Sequence, residues 1–169
     1  MSSVCRLAAL ILLFSSQIIC AQNESFKAVF IYNFTKYIGW PTESQSSEFV
    51  ITVFGDGRII SELEMVAAQH RVDSKPIIIK KAETISAISA TQILFVTKEK
   101  TNQLAQIIEL CASKHILLIT EKVNSCTIGA AINFVSKNGN LSFEIHRGNL
   151  EKSGLKANSQ LLHLGSTVQ

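Results

Sequence analysis

The chain is 169 residues long and is short of charge, proline and aspartate. Charged side chains make up 17 % of it, and it holds two prolines. Soluble domains usually carry about 25 % charge, so the sequence is apolar for its class, with 47 % hydrophobic residues. Disorder requires low hydrophobicity and high net charge; neither applies. A formal charge of +3 is too small for a nucleic-acid binder, whose basic residues cluster on a domain of pI above about 9. The few prolines and the eight glycines exclude collagen-like and linker-rich chains. The length fits one domain rather than several. With only Asp56 and Asp73 as aspartates, a carboxylate-based hydrolase would have to rely on scattered glutamates.

Part of the apolar character belongs to the N-terminus. Arg6 is the only charge before Glu24, an apolar run covers Leu7–Phe14, and small or neutral residues lead to Ile19-Cys20-Ala21. This is the three-part layout of a secretory signal peptide, and it places cleavage after Ala21. The run is shorter than the about 20 residues a membrane span needs. Cys20 raises lipidation, but Gln17-Ile18-Ile19 lacks the small residue expected before a lipidated cysteine. Residues 22–169 then form the mature single domain, and Cys111 and Cys126 are its cysteines. An exported chain permits a disulfide. The intervening run His115–Thr120 reads as a strand of roughly 20 Å, whereas a bond needs Cα atoms within about 7 Å. The spacing favours two buried free thiols, and a sharp fold-back after Thr120 would bring them together.

Residues 24–40 read as a helix, with Phe26, Val29, Phe30, Asn33, Phe34 and Tyr37 on one face and Gly39 and Pro41 ending it. Phe49–Phe54 is a strand closed by Gly55-Asp56-Gly57, and residues 58–69 return to helical spacing. Lys75–Lys81 is a strand with Pro76 near its start. A short amphipathic segment, Glu83–Ser89, precedes strand Gln92–Val96, helix Lys98–Ala112 and strand His115–Thr120. Thr127–Val135 and Asn140–His146 form a hairpin around Asn138-Gly139. Leu150–Leu164 is helical and broken at Gly154. Short, continuously apolar strands separated by helices imply an α/β sandwich: a mixed, mainly parallel sheet with helices on both faces. The hairpin forms its C-terminal edge.

Catalytic patterns are missing. Gly55-Asp56-Gly57 sits where a dinucleotide fingerprint would, but Ile60 occupies its third glycine position and no Walker lysine follows. A plain strand-to-helix turn accounts for it. His70, His115, His146 and His163 show no metal spacing, and neither cysteine has a CxxC partner. There is no G-x-S-x-G. The densest feature is aromatic: Phe26, Phe30, Tyr32, Phe34, Tyr37 and Trp40 lie within one helix. Core packing explains most of it. Tyr32 falls off the common face, and Tyr and Trp are enriched at contact surfaces.

Three segments together resemble a known family: FKAVFIYNFTKYIGWP (Phe26–Pro41), ILFVTKE (Ile93–Glu99) and TIGAAINFVSKNGNLSFEIHRGNLEKSGLKANSQLLHL (Thr127–Leu164). An aromatic helix carrying Tyr32 and Asn33 and ending in Trp40-Pro41, a strand-turn, a Phe-Glu-Ile strand and Ser-Gly-Leu-x-x-x-Ser-x-Leu-Leu follow in the order of the YfiR family of small bacterial periplasmic proteins. The resemblance implies a regulator rather than an enzyme, needing no cofactor or metal. Such a regulator binds the periplasmic sensor domain of an inner-membrane diguanylate cyclase and holds it inactive. Cyclic-di-GMP and biofilm formation then stay low. The resemblance also implies a homodimer that does not itself span the membrane. Some members pair a cysteine at the position of Cys126 with one seven residues on, here Asn133. A second cysteine is often found near Thr91. With Asn133 and Thr91 at those positions, redox control through those bonds is not expected here. The family strand commonly ends in asparagine where this chain has His146.

The partner is expected at Glu144, His146 and Leu150. The first two point outward if Phe143 and Ile145 point in, and Leu150 is expected in an exposed connection. A histidine there would make the contact sensitive to pH. The competing reading is a periplasmic small-ligand-binding protein with the Gly55–Gly57 turn in its pocket.

Overall fold

The computed structural model describes residues 22–41 and 46–168. The expected signal peptide, residues 1–21, and part of the polar loop after Pro41 lie outside the described residues. Helix α1 covers residues 22–37. The strands β1 (Ile38–Gly39), β2 (Phe49–Phe54), β3 (Arg71–Val72), β4 (Lys75–Ala82), β5 (Ile93–Val96), β6 (Leu117–Thr120), β7 (Ile132–Lys137), β8 (Asn140–His146), β9 (Lys156–Ala157) and β10 (Ser166–Val168) are joined by helices α2 (Ile59–Gln69), α3 (Leu104–Ser113), α4 (Ser125–Ile128), α5 (Arg147–Lys152) and α6 (Ser159–Leu164).

Eight strands form one sheet in the order β10-β8-β7-β6-β5-β2-β4-β3. Its centre, β4-β2-β5-β6-β7, is parallel. Taken in chain order, those five strands run second, first, third, fourth, fifth, a doubly wound arrangement that reverses direction between β2 and β5. β7 and β8 form the expected antiparallel hairpin, and β10 adds outside β8 in parallel. Side chains alternate across each strand, and the two faces carry separate cores. Ile51, Val53, Ile93, Phe95, Leu117 and Ile119 join Ala28, Ile31 and Phe34 of α1, Ile59 and Leu63 of α2, and Leu161 of α6. Leu94, Val96 and Leu118 join Leu104, Ile107 and Cys111 of α3 on the other face. A sheet covered on both sides explains why its strands read as unbroken apolar runs.

The structure departs from the sequence reading at several points: β10, not the hairpin, is the outer strand, β9 divides the expected Leu150–Leu164 helix, and three more have a local cause. On α1, Phe26 and Val29 are 49 % and 44 % exposed, and Ala28 and Ile31 are buried instead. The helix carries two overlapping apolar faces, and the sheet selects the one with small Ala28, which lets the helix lie close. Phe30 stays at the margin, its ring 5.7 Å from Phe143. Residues 125–128 are helical, not the start of a strand. Asn124 enters the turn left-handed (φ 64) and Gly129 leaves it (φ 134). Between them the Ser125 and Thr127 hydroxyls donate back to the carbonyls of Lys122 and Asn124, local bonds that override the strand preference of Thr-Ile. Strand β3 was hidden because its turn to β4 uses Asp73 and Ser74, both at positive φ (49 and 67), where Asn-Gly or Asp-Gly would have signalled it.

Candidate functional site

The register of three strands builds a polar row across one end of the sheet. Thr120 of β6 lies opposite Asn133 of β7, and Asn133 lies opposite Glu144 of β8. Asn133 is fully buried. Its side-chain carbonyl accepts from the Thr120 hydroxyl at 2.8 Å, and its NH2 donates to a Glu144 carboxylate oxygen at 3.2 Å. A buried amide must be satisfied at both ends, so the row fixes the Glu144 carboxylate at the rim of the sheet. Beside it, the Cys126 thiol donates to the main-chain carbonyl of Glu144 at 3.8 Å. Burial, reinforced by the Glu144 charge, pushes that thiol up to about 12. Cys111, on α3 against the other core, is also pushed up to about 12 by burial. Both cysteines are unbridged.

His146 follows at the end of β8 and caps α5. Its ring Nδ1 accepts from the main-chain N–H of Asn149 at 3.2 Å. The Asn149 side chain donates to the carbonyls of Cys126 and Ala130 at 2.7 and 2.9 Å, tying α4 to α5. The expected exposure of Leu150 is corrected: it lies on α5, is 1 % exposed and belongs to the core with Phe143 and Ile145. The helix of which it is part turns it inward. Glu144 and His146 are half-buried at the surface. Asn133 and Asn149 organise this end of the molecule. Only their place in mid-strand and at a helix start marks them in the sequence.

Glu144 opens onto a cleft of about 530 Å³, lined with Glu121, Val123, Val135, Ser136 and Ser166 among others. Val123 is 77 % exposed, and Ile128, on neighbouring α4, 57 %. Glu121 is anchored rather than free. One of its oxygens accepts from the Lys98 main-chain N–H at 3.0 Å, and the other meets Lys27 Nζ at 2.5 Å. Lys27 also holds Glu24 at 2.6 Å. Burial draws the Lys27 ammonium down, but the bonds to Glu121 and Glu24 outweigh it and hold its pKa above the usual lysine value.

The aromatic signature lies apart from this cleft and is mainly structural. Tyr32 stacks on His70 at 4.4 Å, and Asn33 accepts from Lys36. The Trp40 indole N–H donates to the Gln92 carbonyl at 3.2 Å, and its ring meets Phe49 edge-on. Trp40 and Pro41 line a smaller cleft of about 290 Å³. A further cleft of about 400 Å³ opens at the carboxyl ends of β2 and β5, lined with Gly55, Asp56, Gly57, Thr97 and Lys100 among others. No group of His, Cys, Asp and Glu among the described residues is arranged to hold a metal ion.

A family model described as YfiR/HmsC-like matches residues 24–166. The chain belongs to the YfiR/HmsC-like family. That family is one of periplasmic regulators of diguanylate cyclases, and its role is regulatory rather than catalytic. The match covers the polar row, the cleft beside it and the five central parallel strands. In this YfiR-like chain the Asn133 amide is committed to Thr120 and Glu144. No helix among the described residues is long and apolar enough to cross a membrane.

Proposed function

We propose that this protein is exported by a signal peptide cleaved after Ala21 and represses an inner-membrane diguanylate cyclase by binding its periplasmic sensor domain. Cyclic-di-GMP and biofilm formation are kept low while the two are joined. The observation that carries the docking site is the rim at Glu144. There a carboxylate fixed by a buried asparagine faces an open cleft, and exposed Val123 lines the same cleft. Fixed polar groups beside exposed apolar side chains are what a partner surface needs. His146 sits at the same rim, whereas Leu150 acts from beneath by holding α5 in place. A homodimer belongs to the same reading.

Co-expression with an inner-membrane diguanylate cyclase that carries a periplasmic sensor domain, taken from the same organism, tests this. Glu144→Ala should raise cyclic-di-GMP and abolish co-purification while the protein accumulates at its normal level. Normal repression by both Glu144→Ala and Val123→Asp would refute the site. The second reading, a small-ligand binder, draws on the 400 Å³ cleft at the point where the sheet reverses direction, the usual ligand position in doubly wound sheets. Stabilisation of the purified protein by a metabolite, lost in Gly57→Trp and without any protein partner, would favour it.

A further inference from the structure

The hairpin of β7 and β8 runs past its neighbours. β6 pairs with β7 only as far as Thr120 opposite Asn133, while β7 continues to Lys137 and pairs with β8 along its whole length. From Phe134 onward, the side of β7 that faced β6 carries no partner strand among the described residues. The direction of its main-chain groups follows from the turn. Asn138 and Gly139, both at positive φ, make a two-residue hairpin closed by Lys137 opposite Asn140, and such a closing pair is hydrogen-bonded. Bonded pairs then alternate, so Val135 and Lys137 direct their N–H and C=O groups to β8. The bond from His146 N–H to the Ala131 carbonyl at 2.9 Å has the same parity. Ser136 therefore turns its N–H and C=O away from β8, onto the open edge, and it is exposed.

Two clefts flank this edge. The one of about 530 Å³ holds Glu144, Val123 and Lys137, and the other, of about 260 Å³, holds Lys27 and Leu141. Val135 and Ser136 line both. An added strand makes main-chain bonds along an edge and drops alternate side chains to opposite faces. A free edge with a cleft on each side is the receptor for that arrangement. The outer edge of β8 is different: β10 occupies it opposite Glu144, Ile145 and His146.

We propose that the cyclase docks by strand addition: an extended segment of its periplasmic domain lies along β7 in line with β6 and takes main-chain hydrogen bonds from Ser136. This rests on the partner reading above and specifies how that partner is held. Of the two carboxylates lining the larger cleft, Glu121 is paired with Lys27 whereas Glu144 meets no cation among the described residues, so a basic side chain of the segment opposite Glu144 suits that side.

The test compares Ser136→Pro with Ser136→Ala in binding titrations against the purified periplasmic domain of the cyclase. Proline removes the N–H that faces outward and spares the bonds to β8, a position where strands tolerate it. Ser136→Pro should keep the wild-type circular dichroism and melting transition and weaken binding by about tenfold or more. Ser136→Ala, which keeps the main chain, should bind as wild type. Hydrogen exchange adds a readout without mutation: the Ser136 amide should become protected in the complex. Wild-type binding by a folded Ser136→Pro, or an unprotected Ser136 amide in a formed complex, overturns strand addition while leaving the cyclase as partner. Failure of the wild-type protein to bind the domain at all overturns both.

Discussion

Leu150→Ala truncates a side chain that is 1 % exposed and packed in the core beneath the proposed docking rim. Leucine-to-alanine changes in cores cost about 2–5 kcal/mol, more where the surroundings cannot collapse. Collapse is restricted here. The Leu150 carbonyl accepts from the N–H groups of Ser153 and Leu155, and His146 and Asn149 pin the start of α5. A loss of about 3–4 kcal/mol is expected, a large part of the roughly 5–15 kcal/mol that holds a domain together. At about 2–4 °C per kcal/mol for a chain of this size, the melting temperature should fall by about 10 °C. Urea denaturation followed by circular dichroism measures it, with an unchanged m-value showing that the same surface unfolds. Glu144→Ala sets the contrast. It removes an acceptor at the rim of an open cleft, where water can reach the Asn133 amide, and should cost about 1 kcal/mol. Both variants should release the cyclase, but Leu150→Ala through a falling amount of folded protein and Glu144→Ala at full abundance. A Leu150→Ala protein within about 0.5 kcal/mol of wild type, the range of surface changes, would refute the reasoning.

Asn133→Val strands the buried Thr120 hydroxyl and should cost about 1–3 kcal/mol; adding Thr120→Val removes both partners and should recover much of it, a coupling that a double-mutant cycle in urea reads directly. At Gly55, a Cβ would stand 2.1 Å from the Thr97 hydroxyl at φ +121, whereas at Gly57 (φ +137) the space is open. Gly55→Ala should therefore destabilise by about 2–4 kcal/mol and Gly57→Ala by about 1 kcal/mol, and equal thermal shifts would contradict this. The Cys111 and Cys126 thiols, pushed up to about 12, should resist iodoacetamide at pH 8 in the folded protein and react in denaturant. Because their folded values exceed the unfolded one near about 8.5, their contribution to stability is complete below that pH. It should decline as pH rises toward 12, visible as a falling urea midpoint that a Cys111→Ala/Cys126→Ala variant lacks.

Strand positions were legible because their side chains meet a core on both faces. Phe49–Phe54 and Asn140–His146 are strands over the residues read from the sequence, and the Asn138-Gly139 turn lies where its chemistry places it. The rim was only partly legible. Glu144 and His146 reach the surface by simple alternation. Leu150 does not, because a residue four positions past a strand faces whichever way the next helix turns, and no spacing within one short helix fixes that. Asn133 was visible only as an interruption in an apolar run. Its role depends on Thr120 and Glu144, which lie 13 residues before it and 11 after.

The sequence by itself determined the class of fold, the order of its parallel strands along the chain, the hairpin and the family, because each rests on local pattern: apolar runs, turn residues and short motifs in a fixed order. Tertiary structure decided which face of α1 is buried, how far β6 covers β7 and which side chains share the rim. Those are relations between segments. They are set when helices and strands of unequal length pack against one another, and the end of β6 at Thr120 leaves Ser136 open only because β7 runs on without it.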